Sequence, residues 1–176
     1  MLEHCRNARE RWGGVSDLID RWLKERQDVL VRYCELSAEN DYSQTESLRP
    51  KLVLLCEMLV DYVSAGHFEI YGQLVREARE FNDDVGLELA AKVYPRITET
   101  TQVILDFNDK IDDRERSESE MQALFTELSR VGETLASRFE LEDLLIAHLH
   151  TANADKVEPA GELSVNLNGK LLAPLR

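Results

Sequence analysis

The sequence predicts an all-α fold: an antiparallel helical bundle with a four-helix core, one helix of it kinked or broken, and a disordered C-terminal tail. Apolar residues recur at three- and four-residue steps from Val15 to Leu149, the spacing that lines one face of an α-helix. Only 8 glycines and 4 prolines punctuate 176 residues. A composition of 43% hydrophobic and 31% charged residues suits one sizeable core in a soluble domain.

The elements follow in order. Val15, Leu18, Ile19, Trp22, Leu23, Val29, Leu30, Tyr33 and Cys34 form the stripe of a long first helix, with Asp17, Arg21, Glu25 and Asp28 on its polar face. Gly13-Gly14 is placed to bend or begin it. After a polar loop near 38–45, Thr45 or Ser47 is the candidate cap of a second helix that tolerates Pro50 in its first turn and runs to about Ser64. Leu52, Leu55, Cys56, Leu59, Val60 and Val63 make its stripe. Gly66 then marks a sharp corner, where positive φ or a close approach needs a residue without Cβ. A third helix runs from about His67 to Phe81.

Asn82-Asp83-Asp84 offers N-caps for a fourth helix carrying Val85, Leu89, Val93, Ile97, Ile104, Phe107 and Ile111. Pro95 predicts a kink near Tyr94, because proline lacks an N–H donor and crowds the preceding turn. Ser117-x-x-Glu120 reads as a capping box that opens the last long helix, whose stripe includes Leu124, Leu128, Val131, Leu135, Phe139 and Leu149. Beyond Thr151 the period fails. The bundle is therefore assigned to 1–152 and a flexible tail to 153–176, with a strand at Leu163, Val165 and Leu167 as the alternative.

The net charge of −13 is unevenly spread: residues 1–37 hold seven of the 21 basic and seven of the 34 acidic residues, so the remainder carries the excess. Such a field repels nucleic acid and anionic membrane and attracts a basic protein surface; a general solubility charge is the plain alternative. No stretch reaches the roughly 20 apolar residues of a membrane span, and the charged N-terminus lacks a signal-peptide core, so a cytoplasmic location is expected. Three cysteines without CxxC spacing read as small buried thiols.

Catalytic motifs are missing: the chain has no GxxxxGK[ST], GxSxG, HExxH or EF-hand pattern. None of the four histidines follows a glutamate at three residues, and His148 and His150 point to nearly opposite sides of a helix. His67 with Glu140 or Glu142 makes at most a degenerate metal site. No cofactor, no metal and no enzyme activity are expected.

The richest stretch is DYVSAGHFEIY at 61–71. Together with ERWGGVSDLIDRWLKERQ at 10–27, Tyr94-Pro95 and RFELEDLLI at 138–146, it resembles the regulator-of-sigma-D (Rsd)/AlgQ family of anti-sigma factors, most closely the AlgQ branch, over about residues 1–152. The resemblance implies a helical bundle that binds the primary sigma factor of bacterial RNA polymerase at region 4, with region 2 as a further candidate contact. Sigma held in this way is kept from core polymerase and from −35 promoter DNA, and the AlgQ branch implies positive control of alginate and virulence-related genes.

An acidic bundle agrees with that expectation, since region 4 presents a basic helix-turn-helix surface made for phosphate. The contact centre is expected on the first helix and the second–third helix corner, with Asp61 as the matched acid. Arg21, Tyr62, His67, Phe68 and Tyr71 are further contact candidates. Each has a plainer role: core packing for Tyr62, Phe68 and Tyr71, pairing with Asp17 or Glu25 for Arg21, and a corner cap for His67. Two other classes stay open, a cytoplasmic adaptor for another regulator and the degenerate metal bundle.

Overall fold

The computed structural model describes residues 8–39, 45–112 and 117–157. Every regular element among them is helical: α1 (Ala8–Ser37), α2 (Thr45–Ala65), a π-helical turn (Gly66–Ile70), α3 (Tyr71–Glu80), α4 (Asp84–Asp112), α5 (Glu118–Leu149) and a 3₁₀ turn (Thr151–Lys156). α5 packs along α4, while α1 lies on α2 and α2 on α4. Trp22, Leu52, Leu59, Ile97, Ile104 and Phe125 are among the side chains filling the interior between them.

Several local expectations change. Gly13 and Gly14 do not begin the first helix; α1 starts at Ala8 and passes through them. Thr45 opens α2, which puts Pro50 in the second turn rather than the first. Pro95 does not break α4. Ala91 and Pro95 both lie on the exposed side of that helix, where water can hydrate the carbonyl left without a donor. Cys56 is buried as expected, and burial, then the Glu57 charge, push its thiol up to about 12. Cys34 is exposed instead, so its place beside the apolar stripe faces outward.

The largest correction concerns Gly66. No sharp corner exists there; α2, the π turn and α3 run on as one helical rod from Thr45 to Glu80. A π turn inserts one extra residue and shifts the helical register without reversing the chain. Gly66 is required by close approach: a Cβ would lie 2.7 Å from the Tyr71 hydroxyl and 3.0 Å from Trp22 Cζ2. The chain reverses at the end of α3, where Asn82 takes φ 53° and Asp83 N–H donates to Ala78 O at 2.8 Å. Asp83 then caps α4, its carboxylate accepting from Gly86 N–H at 2.9 Å.

The capping box at Ser117 and Glu120 forms as predicted. At the other end a short turn follows α5. The 3₁₀ turn continues to Lys156, and buried Asn153 donates to Leu149 O at 3.0 Å. Glu77 accepts from the His150 ring at 2.8 Å, and Trp12 stacks on that ring at 4.5 Å, so residues just before the expected tail lock the N-terminal part of α1 to α3. The tail and strand expectations for 158–176 lie outside the described residues.

Candidate binding groove

Residues of α1, α2 and the π turn line an open groove of about 520 Å³. Val29 of α1 and Met58 and Ala65 of α2 line its apolar part. Glu25 and Asp28 stand on the α1 side, Asp61 on the α2 side and Glu69 at the π-turn end. Phe68 closes that end and is 87% exposed. A large aromatic left in water beside a pocket is the kind of residue that anchors a protein contact.

One of the groove's acids, Glu25, is perturbed by its surroundings. Burial, then repulsion from Glu69 and Asp61, hold the Glu25 carboxyl above its ordinary value, and Arg21 offsets only part of this. Lys24 reaches Asp28 at 2.5 Å, but both side chains are largely in water, where such a pair is worth little. A cation entering between Glu25, Asp61 and Glu69 would relieve their mutual repulsion.

Behind the groove lies a buried polar cluster that the sequence reading did not assemble. Glu142, fully buried, accepts from Arg138 Nε at 2.7 Å, from the Tyr71 hydroxyl at 2.6 Å, from Arg26 Nη2 at 3.1 Å and from the Tyr62 hydroxyl. Arg138, also fully buried, donates to the hydroxyls of Thr101 at 2.7 Å, Thr100 at 3.1 Å and Tyr71 at 2.9 Å. Arg26 donates to the Tyr62 hydroxyl at 3.1 Å and to Asp143 at 2.5 Å. Burial, then the Glu142 charge, push both tyrosines far above their ordinary range and keep them neutral donors. Burial works against the Arg26 charge, yet Tyr62, Asp143 and Glu142 outweigh it and hold the guanidinium protonated.

A buried ion pair of this kind gains little net stability over an apolar core, but its directional bonds admit few alternative packings. The signal was present in the sequence. Arg138 and Glu142 stand at positions that continue the stripe of Leu135 and Leu145, so they had to be buried, and their four-residue spacing lets them pair.

The candidate contact residues therefore divide. Asp61, Phe68 and Arg21 are at the surface, and Asp61 and Phe68 share the groove. Arg21 donates to the Asp17 carbonyl at 3.4 Å and lies close enough to Glu25 to affect its charge. Tyr62 and Tyr71 are core residues, 0% and 2% exposed. His67 is half-buried on another side of the rod, its Nε2 2.8 Å from the Thr101 hydroxyl and its ring edge-on to Tyr71 and Tyr94. Glu142 is committed to the cluster, and no group of three or more potential metal-binding side chains occurs among the described residues. Nor is any described helix long and apolar enough to cross a membrane.

Fold and groove together define an acidic, all-helical bundle with an open groove and an exposed aromatic at its end. The family described as "Regulator of RNA polymerase sigma(70) subunit, Rsd/AlgQ" matches residues 1–150. A Regulator of sigma D from Yersinia pseudotuberculosis serotype O:1b (strain IP 31758) is 36% identical over 148 residues, covering 83% of this chain and 87% of the relative. One from Enterobacter sp. (strain 638) is 35% identical over 164 residues, 89% of this chain and 98% of the relative. The chain belongs to the Rsd/AlgQ family.

Proposed function

We infer that this protein is a non-catalytic, cytoplasmic anti-sigma factor that holds region 4 of the primary sigma factor, with the acidic groove as its contact surface and Asp61 at the centre. The relatives are named regulators of sigma D, and the family description names the sigma(70) subunit. The observation that carries the reading here is the groove itself, where exposed Phe68 stands beside Glu25, Asp61 and Glu69. Region 4 carries cationic side chains that otherwise meet promoter phosphates, and the groove presents carboxylates in their place. Long-range attraction speeds the encounter, and Phe68 with the apolar groove floor supplies desolvated contact that slows release.

Sigma bound in this way is withheld from core polymerase and from −35 DNA, and the protein itself makes no direct contact with nucleic acid. Freed polymerase then becomes available to other sigma factors, the route by which an AlgQ-like protein raises alginate and virulence-related transcription. The test measures full-length primary sigma factor, and the same factor lacking region 4, against wild type and Asp61→Ala. Removing one partner of a desolvated charge pair weakens binding by about 2–5 kcal/mol, with Tm unchanged because Asp61 is exposed. Equal binding by sigma lacking region 4, or by Asp61→Ala, would refute the reading.

A further inference from the structure

We propose that Tyr62 is a positioning residue: its hydroxyl, held between Arg26 and Glu142, sets the separation of the two helices that wall the acidic groove. The inference rests on the groove being the sigma contact. Tyr62 lies against the groove at residue-by-residue proximity to Asp61, and Arg26 directly follows Glu25 on the opposite wall. Two hydrogen bonds cross from α1 to α2 at this level, and both end on Tyr62: Trp22 Nε1 donates to its carbonyl at 3.1 Å and Arg26 Nε to its hydroxyl at 3.1 Å. The Tyr62 ring is stacked on Trp22 at 5.1 Å, which fixes the height of the contact but leaves sliding along the ring face open. The hydroxyl bonds stop that sliding. Glu142 of α5, which also binds Arg26, anchors both helices to the far side of the bundle.

The cluster contains its own control. Tyr71 is equally a buried tyrosine whose hydroxyl accepts from one arginine, Arg138, and donates to the same carboxylate, through the other oxygen. It joins α3 to α5, however, and does not line the groove. Removing either hydroxyl deletes the same chemistry from the core, and only one of the two deletions loosens the groove walls. Stability and partner affinity should therefore separate between the two variants.

The experiment compares Tyr62→Phe, Tyr71→Phe, Arg26→Lys and Asp61→Ala for Tm and for Kd and dissociation rate with the full-length primary sigma factor, each Kd corrected for folded fraction. Tyr62→Phe should raise Kd about tenfold, the order set by loss of one hydrogen bond to a charged group, and faster dissociation should account for it. Tyr71→Phe should lower Tm comparably and leave Kd within about twofold, the scatter expected of residues outside a contact. Arg26→Lys keeps the charge, loses the planar fork and should repeat the Tyr62→Phe result; it decides the matter if Tyr62→Phe does not fold. Equal Kd changes for the two tyrosine variants, or an unmoved Kd for Arg26→Lys, would overturn the proposal. An unmoved Kd for Asp61→Ala removes the sigma-contact reading and this inference with it. Weak binding by Asp61→Ala beside wild-type binding by Tyr62→Phe removes the positioning role alone.

Discussion

Replacing Gly66 by alanine sets two well-known effects against each other. Within a helix, Gly→Ala favours folding by about 1 kcal/mol, because glycine has the larger backbone entropy to lose. At Gly66 the new Cβ would sit 2.7 Å from the Tyr71 hydroxyl and 3.0 Å from both Tyr71 Cζ and Trp22 Cζ2. An isolated tyrosine would swing aside, but this hydroxyl is pinned by Glu142 at 2.6 Å and Arg138 at 2.9 Å. Trp22 is pinned as well, by its bond to Tyr62 O and by stacking. Relief then requires either overpacking strain of about 1–3 kcal/mol or loss of a buried bond to a charged group, about 1.5–3 kcal/mol. After the helix gain, the net is a destabilisation of up to roughly 2 kcal/mol, a fall in Tm of up to roughly 8 °C for a domain of this size. Urea and thermal unfolding followed by circular dichroism measure it. The double variant with Tyr71→Phe removes the nearest atom, so the alanine should be less harmful in that background. A Gly66→Ala protein more stable than wild type would show that ordinary helix propensity governs the site and would refute the close-approach argument.

Glu142→Leu leaves Arg138 fully buried without its carboxylate and should destabilise the fold by about 3–5 kcal/mol in urea denaturation; a loss below about 1 kcal/mol would mean that the cluster relaxes or hydrates freely. His67 bears on acid stability. Burial, then the Arg138 charge, hold its pKa below the ordinary 6.5, so the unfolded chain takes up a proton that the folded chain resists. The stability this provides is present above about pH 6.5 and is lost as pH falls below it toward the folded value. His67→Gln removes that proton uptake, and its Tm should fall less steeply than wild type between about pH 7 and pH 5.5; parallel curves would count against the assignment.

How much of the molecule was legible follows from which interactions are local. Helix identity was, because the apolar period and the cap chemistry act within a few residues: the Ser117–Glu120 box and the Asp83 cap form where the sequence places them. The exposure of Asp61 was also legible, since one helical register puts Leu52, Leu55, Leu59 and Val63 inside and Asp61 outside. Family membership came from strings long enough to be distinctive, and it agrees with the match over residues 1–150.

What joins residues far apart in the chain was decided only by tertiary structure. At Gly66 the close approach holds and the corner does not, and the partner in that approach was not legible, because the atoms that exclude a Cβ there belong partly to Trp22, 44 positions away and on another helix. Gly132 carries no local signal of its own, yet a Cβ there would collide with the hydroxyl of Tyr33 on α1. The groove combines α1 acids with α2 and π-turn residues, and the cluster behind it gathers Arg26, Tyr62, Tyr71, Arg138 and Glu142. Periodicity states which side of a helix is wet; it carries no information on which neighbour supplies the hydrogen bonds when a charged residue falls on the dry side. That pairing depends on the register between helices, which is set by packing over the whole bundle.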